Sequence, residues 1–319
     1  MRQWKKKLWL LVPYALILSY LAFRFLVVSD LSDWRPDSDR HARSYISEHT
    51  SSVLSTPRIP SEGDKMDILG IAHSAPLHFQ QRDAIRRTWF RDLGPSFKAV
   101  FLIGRDDKME PSSVSLLHSE MEAFGDIIIE DFVDTYNNLT LKSILMLQFV
   151  IQMELNIKYL FKMDDDIYLN ARRIPELLDM RTTTIGGFRF TQTSPTRYST
   201  VFSYDRKWIC PRWMYPSSEF PAYIGGPGYL LPGPTVPSLY HSAFTVPFIH
   251  LEDVFITGIL ADLNSIPRKD IASFADRSGD VCTKNLGALV FHPIRPKGMR
   301  VLHDILHGVE GADCRAGMR

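Results

Sequence analysis

The sequence predicts an α/β fold built on a doubly wound, mostly parallel sheet and preceded by one transmembrane helix. Two observations support this prediction: apolar runs of strand length alternate with helical patterns, and one long apolar segment lies near the N-terminus. With 319 residues, 45% of them hydrophobic and 12% aromatic, the chain is long enough for one large or two modest domains with a substantial core. A disordered or fibrous chain is therefore excluded.

The membrane prediction rests on residues 8–28, which are apolar apart from Ser19 and Arg24. A helix of this length spans roughly 30 Å of hydrocarbon. Basic residues precede the segment and acidic residues follow it, so the positive-inside rule predicts a type II membrane protein. The alternative is a cleaved signal peptide, which delivers the chain to the same lumen, although no Ala-x-Ala cleavage pattern follows Val28. The predicted segments are a cytoplasmic tail at 1–7, a signal-anchor at 8–28, a polar stalk at 29–64 and a lumenal domain at 65–319.

Charge and cysteine content exclude several functional classes. Lys and Arg number 37 against 36 Asp and Glu, so the net charge of +1 provides no overall field that would attract nucleic acid. Three cysteines are too few for a disulfide-built scaffold and too scattered for a paired-cysteine zinc site. In an oxidising lumen the sequence allows one disulfide among Cys210, Cys282 and Cys314, without choosing the pair.

The strand and helix patterns alternate in the first half of the predicted lumenal domain. Apolar runs of strand length occupy 66–72, 99–103, 126–129 and 159–163, and helical patterns occupy 79–89, 114–124 and 139–155. Alternation at these lengths predicts parallel strands with helices on both faces of the sheet. Because ligands bind beyond the carboxyl ends of such strands, the residues that follow each strand are the candidates for a site.

Three consecutive carboxylates, Asp164, Asp165 and Asp166, follow the fourth predicted strand. In extended backbone Asp164 and Asp166 face the same side, where one can hold a ribose or a water and the other a cation. Oxygen ligands suit hard ions such as Mn²⁺ or Mg²⁺, which neutralise a departing diphosphate. The alternative interpretation is an acidic surface turn.

Three other stretches contain residue types that suit a ligand-binding site. Eight aromatic residues between positions 188 and 215, Trp208 among them, either stack on sugar rings or bases or fill a minor core. The glycine-rich segment 220–231, which contains Tyr223, permits close approach of a ligand to the backbone. Glu252 and Asp253 precede an apolar helical stretch, where they act either as simple caps or as a general base held by the same geometry.

Five motifs, in order along the chain, resemble the β1,3-galactosyltransferase family, the inverting glycosyltransferase family numbered 31. The resemblance runs from Asp67 to about His307. The motifs are Phe79-x-x-Arg82-x-Ala84-Ile85-Arg86-x-Thr88-Trp89, Phe101-Leu102-Ile103-Gly104, Asp131-Phe132-x-Asp134-x-Tyr136-x-Asn138-Leu139-Thr140-Leu141-Lys142, Lys162-x-Asp164-Asp165-Asp166 and Glu252-Asp253-Val254.

The resemblance implies a GT-A fold, with a Rossmann-like nucleotide-sugar half and an acceptor half. It also implies a UDP-sugar donor, a Mn²⁺ or Mg²⁺ ion, and a glycan acceptor on a glycoprotein or glycolipid. The membrane anchor and stalk are typical of Golgi enzymes of this family, whose catalytic domain is lumenal. A homodimer is compatible with this expectation.

The resemblance further assigns roles to individual residues. Asp253 matches the acidic residue proposed as the catalytic base, which removes the proton of the acceptor hydroxyl in a single displacement that gives a β-linkage. The other implied roles are donor binding by Arg82, Arg86, Asp164 and Asp165, metal binding by Asp164, Asp166 and His292, and acceptor binding or support by Glu252, Trp208 and Tyr223. The two arginines can instead pair with structural carboxylates.

The sequence departs from the family pattern near the expected pockets, which bears on the identity of the sugar. Phe90 stands where the family commonly has Gly, and an extra proline, Pro227, precedes Gly228-Tyr229. Asn138 begins the only N-glycosylation sequon and opens a predicted helix.

The expected activity is therefore metal-dependent, inverting transfer of a hexose, with galactose preferred, to a sugar hydroxyl in a β1,3 linkage. The near alternatives are β1,3 transfer of N-acetylglucosamine or N-acetylgalactosamine. A catalytically silent lumenal chaperone or lectin is a further alternative, against which the intact Asp164, Asp166 and Asp253 argue. A metal-dependent hydrolase would need a richer cluster of His and Asp than the sequence shows.

Overall fold

The computed structural model describes residues 12–22, 27–28, 34–58, 66–178, 180–200, 204–274 and 286–310. The chain forms two compact units, of which the smaller comprises Met1–Ser38 and Ser194–Glu219 and the larger comprises Asp39–Thr193 and Phe220–Arg319.

Regular structure in the described residues consists mainly of short strands and helices. In chain order the strands are β1 (Val27–Val28), β2 (Val53–Ser55), β3 (Ile68–His73), β4 (Phe97–Arg105), β5 (Ile127–Val133), β6 (Tyr159–Asp164), β7 (Tyr168–Leu169), β8 (Ile185–Phe190), β9 (Ser199–Thr200), β10 (Tyr223–Pro232), β11 (Arg268–Asp270) and β12 (Val290–Phe291). The α-helices are α1 (Phe79–Arg87), α2 (Pro111–Phe124), α3 (Leu139–Gln152), α4 (Pro175–Leu178), α5 (Val236–Ala243), α6 (Ala261–Leu263), which continues a π-helix at Val254–Leu260, and α7 (Pro296–Leu306).

An eight-stranded sheet forms the centre of the larger unit, with the strand order β11-β8-β10-β6-β3-β4-β5-β2. Strands β6, β3, β4 and β5 are mutually parallel neighbours, which confirms the parallel α/β architecture predicted for the first half of the domain. The sheet as a whole is mixed, because β10 runs antiparallel to both β6 and β8, and β2 antiparallel to β5.

Strand β10 is where the structure differs most from the sequence-based expectation. The glycine-rich segment was expected to offer open backbone to a ligand, yet it forms a ten-residue strand between β6 and β8. Its glycines make this packing possible: a Cβ at Gly228 would lie 3.3 Å from the ring of Phe161. The register shifts between Ile224 and Tyr229, so the strand bends in its glycine-rich part.

Helices cover the sheet and explain the burial of its strands. Every residue of β3 is buried, as the continuous apolar sequence of a central parallel strand requires. Helix α3 is buried from Thr140 to Val150 and contacts α5 and the π-helix, while α1 contacts α7. The nearly uniform apolar sequence of α3 is typical of a helix buried on all sides.

The predicted stalk, residues 29–64, also differs from the structure. Its β2 forms the edge of the main sheet, and Arg40 and Arg43 donate hydrogen bonds to the carbonyl oxygens of Phe248 (2.8 Å) and Phe244 (2.7 Å). Polar side chains that bind backbone carbonyls give no hydropathy signal, which is why composition alone indicated an unstructured stalk.

The predicted anchor at 8–28 falls partly outside the described residues, and residues 12–22 are helical. Within the described ranges, every helix is too short or too polar to traverse a bilayer. Of the three cysteines, Cys210 is buried in the smaller unit, whereas Cys282 and Cys314 lie outside the described residues.

Candidate active site

The predicted acidic triplet lies at the carboxyl end of the central strands. Asp164 ends β6, where it pairs in register with His73, the last residue of β3. The chain then turns into β7, which pairs antiparallel with β12. This pairing brings His292 beside Asp166: the amide of Ile294 donates to the carbonyl oxygen of Asp166 (2.7 Å), and His292 Nε2 lies 3.4 Å from Asp166 Oδ1.

Asp164, Asp166 and His292 together fit a divalent cation. Each offers one ligand atom, and these atoms lie within 4.8 Å of one another. Asp166 Oδ1 is buried and has no hydrogen-bond partner in the described part of the chain, which leaves a lone pair for an ion. Two carboxylates and one imidazole suit Mn²⁺ better than Ca²⁺, which prefers oxygen ligands alone.

A buried lysine, Lys162, links this cluster to the rest of the site. Its Nζ donates to Asp164 Oδ1 (2.6 Å) and to the carbonyl oxygen of Gly226 (2.7 Å), and it lies 3.5 Å from Glu252 Oε2. Burial alone would lower the pKa of Lys162, but the Asp164 and Glu252 carboxylates outweigh it and raise that pKa. The lysine is therefore charged throughout the physiological range. For Asp164, burial is the main cause of a raised pKa, which Asp166 increases and Lys162 opposes.

Asp253 lies on the other side of Gly226. Its Oδ2 accepts a hydrogen bond from the amide of Gly226 (2.9 Å), and its Oδ1 accepts one from the amide of Val254 (2.8 Å), at the start of the π-helix. Burial, followed by the negative charge of Glu252, raises the pKa of Asp253 to about 6, against the opposing effect of the two amides and Lys162. A half-buried carboxylate with a pKa in this range is suited to accept a proton near neutral pH.

The side chain of Glu252 is buried and faces inward. Its Oε1 accepts hydrogen bonds from the hydroxyls of Ser143 (2.6 Å) and Tyr229, and the side chain is 5% exposed. These contacts fix the carboxylate that, with Asp164, holds Lys162. They support a positioning role for Glu252, and its predicted acceptor contact stays a prediction.

Asp165 points toward the first βα loop. Its Oδ2 accepts a hydrogen bond from Ser74 Oγ (2.6 Å) and lies 2.7 Å from His78 Nδ1. The hydrogen bond to Asp165 raises the pKa of His78 despite partial burial. Asp165 thus ties the acidic triplet to the loop between β3 and α1, and donor binding by Asp165 stays a prediction.

Arg82 and Arg86 form the structural ion pairs that the sequence analysis gave as the alternative to donor binding. Arg82 has no exposed surface, and its guanidinium binds Glu120 (2.9 and 2.7 Å) and the carbonyl oxygens of Ala75 and Pro76. Arg86 binds Glu120 and, through two nitrogens, Asp126. These contacts shape the first βα loop from behind, and direct contact of either arginine with a diphosphate stays a prediction.

The remaining predicted residues lie in three different settings. Tyr223 begins β10 and stacks on Phe190, with ring centroids 5.0 Å apart and an angle of 15° between the rings. Trp208 is 43% exposed and belongs to the smaller unit. Asn138 Nδ2 donates to the carbonyl oxygen of Val133 (2.9 Å), and the hydroxyl of Thr140, the third residue of the sequon, is buried. The folded chain therefore does not present the sequon freely.

Sequence reasoning gave no role to three buried residues of the site. Lys162 and Lys142 are single lysines inside apolar runs, and that pattern is the signal that could have identified them. Lys142 Nζ donates to the carbonyl oxygen of Ser74 (2.7 Å) and pairs with Asp134 (2.7 Å). His73 is buried with both ring nitrogens lacking a hydrogen-bond partner in the described residues, and burial together with the two lysines holds its pKa well below the usual range.

Comparison with known proteins points to a transferase. The sequence model of the galactosyltransferase family matches residues 80–272, more than half of the chain. Beta-1,3-galactosyltransferase 1 of Mus musculus is 30% identical over 192 residues, which cover 59% of this chain and 58% of the relative. Beta-1,3-galactosyltransferase 5 of Mus musculus is 29% identical over 239 residues, which cover 73% of this chain and 75% of that protein.

A further relative carries a different donor in its name. UDP-GalNAc:beta-1,3-N-acetylgalactosaminyltransferase 1 of Rattus norvegicus is 33% identical over 199 residues, covering 60% of this chain and 58% of the relative. The matched stretch thus spans less than two thirds of the length of two of these three relatives.

Proposed function

We propose, because the chain belongs to the galactosyltransferase family, that this hexosyltransferase moves galactose from UDP-galactose to a sugar hydroxyl of a glycan. The proposed linkage is β1,3 and is formed with inversion. We assign the mixed sheet to the GT-A fold, with the parallel strands as the nucleotide-sugar half.

One observation carries the proposal: Lys162 joins the cation cluster to the candidate base. Its ammonium binds Asp164 and the carbonyl oxygen of Gly226, whose amide in turn binds Asp253. The two functions that transfer requires, charge neutralisation of the diphosphate and deprotonation of the acceptor, are thereby supported at fixed positions on one framework.

The proposed step is a single displacement. Asp253 accepts the proton of the acceptor hydroxyl as the hydroxyl oxygen forms a bond to the anomeric carbon of the donor sugar. The bond from that carbon to the diphosphate oxygen breaks at the same time, and UDP leaves with the electron pair. Attack opposite to the leaving group converts an α-linked donor into a β-linked product, so no carboxylate nucleophile is needed.

Asp164, Asp166 and His292 would hold the divalent cation, and such an ion supplies positive charge to the diphosphate as it departs. Lys162 favours the ionised form of Asp164 and orients it for that purpose, since its Nζ lies 2.6 Å from Asp164 Oδ1. His292 is held next to Asp166 by the pairing of β7 with β12.

The donor and the compartment are further parts of the proposal. Transfer of N-acetylgalactosamine is the second candidate, favoured by the relative named for that activity. We place the protein in the Golgi membrane, with the catalytic unit in the lumen, on the strength of the apolar segment 8–28 and its flanking charges.

Donor-dependent release of UDP by the purified full-length chain tests the proposal. UDP-galactose, UDP-N-acetylglucosamine and UDP-N-acetylgalactosamine are each supplied with mixed glycan acceptors and either Mn²⁺ or EDTA. We expect acceptor-stimulated release from UDP-galactose that EDTA abolishes and that Asp253→Asn lowers, while the exposed-acid control Glu122→Gln keeps wild-type activity. Binding of UDP without release from any donor, across an acceptor array, would instead support a silent lectin or chaperone.

A further inference from the structure

A second group of metal-ligating side chains shares no residue with the site described above. Asp92 ends the 3-10 turn Trp89–Asp92, which follows α1, while His303 lies in the last turn of α7 and His307 is the C-terminal cap of that helix. Together they are the other described group of His and carboxylate residues whose ligand atoms lie within 4.8 Å of one another.

The distances in this group match a tetrahedral ion. Asp92 Oδ2 lies 3.5 Å from His303 Nδ1 and 3.2 Å from His307 Nε2. Metal–ligand bonds of about 2.0–2.1 Å at tetrahedral angles place neighbouring ligand atoms about 3.3 Å apart. Both rings lie at ion-pair distance from the carboxylate, so the three groups converge on one point.

The histidines are also oriented as ligands before any ion binds. They stand four residues apart on one helix, so both rings lie on the same face, with centroids 4.1 Å apart. His307 Nδ1 donates its proton to the carbonyl oxygen of His303 (2.8 Å), and Nε2, which faces Asp92, is left with a free lone pair. A backbone acceptor on the other ring nitrogen is the usual second contact of a metal-bound histidine. The hydroxyl of Tyr168 lies 3.0 Å from His303 Nδ1 at the edge of the group.

These three side chains line a cavity of about 410 Å³ whose walls also carry three arginines and one further acid, Asp304. Arg87, Arg91 and Arg300 contribute to the lining, and Arg87 and Arg300 also pair with Asp83. Three guanidinium groups repel a cation that binds near them, unless an anion binds to that cation as well. The open side of the site therefore favours a negatively charged or water-derived fourth ligand.

We propose that Asp92, His303 and His307 bind a divalent transition-metal ion of the Zn²⁺ class, with a fourth coordination position open to the basic cavity. Two imidazoles and one carboxylate select such an ion over Mg²⁺ or Mn²⁺, which favour sites richer in oxygen. The ion would join the turn after α1 to the end of α7, and its binding would stabilise the folded chain by mass action.

Cobalt spectroscopy on the full-length chain, purified without a histidine tag and stripped with chelator, tests this assignment. We expect Co²⁺ to give the strong visible absorption of a four-coordinate site, which Zn²⁺ removes and Mg²⁺ does not. His307→Gln and Asp92→Asn should each weaken Co²⁺ binding about tenfold or more, and should abolish the increase in Tm that Zn²⁺ gives the wild type.

His241→Gln is the matched control. His241 is exposed, and its Nδ1 makes the same contact to a carbonyl oxygen four residues earlier, that of Pro237 (2.7 Å), but it belongs to neither described group of metal ligands. It should keep the wild-type visible band. Asp166→Ala removes a ligand of the proposed transferase site and so shows which part of the total cobalt binding belongs to that site, while the visible band of the four-coordinate site should remain. Wild-type cobalt affinity in His307→Gln and Asp92→Asn, or loss of the visible band only in Asp166→Ala, would overturn the proposal. Because circular dichroism monitors folding of each variant, loss of binding through misfolding is recognised separately.

Discussion

Replacement of Asp253 by Asn should have opposite effects on the rate of transfer and on the stability of the fold. The carboxylate is the proposed base, so its loss should lower the rate of transfer by about 10²- to 10⁴-fold. UDP binding in the presence of Mn²⁺ should be unchanged, because the proposed cation ligands are Asp164, Asp166 and His292. Asn has nearly the same shape and retains one acceptor oxygen for the amides of Gly226 and Val254.

The effect on stability follows from the pKa of Asp253, which rises from 3.8 to about 6 on folding. A carboxyl whose pKa is raised in the folded state destabilises that state as it ionises. The cost is absent below the unfolded pKa, grows between about pH 4 and 6, and is complete above pH 6. With these two values the cost is about 2 kcal/mol at pH 5 and about 3 kcal/mol at pH 7.5. Asn carries no such cost, and its lost hydrogen bond opposes the gain by a pH-independent amount of about 1–3 kcal/mol.

The measurable quantity is therefore the pH dependence of the difference between variant and wild type. The free energy of unfolding of Asp253→Asn minus that of the wild type should increase by about 1 kcal/mol between pH 5 and pH 7.5. For a unit of this size this corresponds to a relative rise in Tm of about 2–4 °C. Glu122→Gln, an exposed substitution, controls for general charge effects. Parallel pH dependence of Asp253→Asn and wild type would refute the raised pKa, and undiminished turnover would exclude Asp253 as the base.

Three further predictions concern neighbouring residues. Asp166→Ala should weaken Mn²⁺-dependent binding of UDP by about tenfold or more while leaving the Tm of the metal-free protein nearly unchanged; unchanged Mn²⁺-dependent binding of UDP in the variant would place the cation elsewhere. Glu252→Gln removes a negative charge that raises the pKa of Asp253, so the acid limb of the kcat/KM profile, expected near pH 6, should move to lower pH; an unmoved limb would argue that Asp253 is not the titrating group. Arg82→Lys should destabilise the fold by about 3 kcal/mol, because Lys cannot replace the paired contacts to Glu120, while the UDP affinity of the folded fraction stays constant; a selective loss of UDP affinity at unchanged Tm would instead support donor binding by Arg82.

The parallel half of the fold could be predicted because its strands are buried on both faces. Such strands read as continuous apolar runs, and β3, β4, β5 and β6 all appear as such runs in the sequence. Strand β10 could not be predicted in this way, since glycine disfavours strands in general. Here the glycines are required because neighbouring side chains approach the backbone, as Phe161 does at Gly228. That requirement exists only once the sheet is assembled.

The positions of site residues that directly follow a strand could be predicted from the sequence. The positions of site residues that come together from distant parts of the chain could not be predicted in this way. Asp164 and Asp166 follow β6 directly, so their position at the sheet edge follows from the α/β pattern. His292 was placed by resemblance alone, because the pairing of β7 with β12 that brings it to Asp166 involves two-residue strands with no recognisable sequence pattern. The partners of Arg82 and Arg86, Glu120 and Asp126, lie more than thirty residues away and carry no local signal.

The contacts of Lys162 explain why the buried Glu252 lies beside Asp253, although Glu252 raises the pKa of that base. Replacing Glu252 by a neutral residue would favour ionisation of Asp253, yet Glu252 and Asp164 are the carboxylates that hold the fully buried ammonium of Lys162 in place. That ammonium binds the carbonyl oxygen of Gly226, whose amide fixes Asp253 Oδ2. Without its partners the buried charge would be uncompensated, at a cost of about 3–5 kcal/mol. Burial is the main cause of the raised pKa of Asp253, and the further rise caused by Glu252 is the electrostatic consequence of positioning the base through a lysine. At a pKa of about 6 the base is still mostly ionised at pH 7.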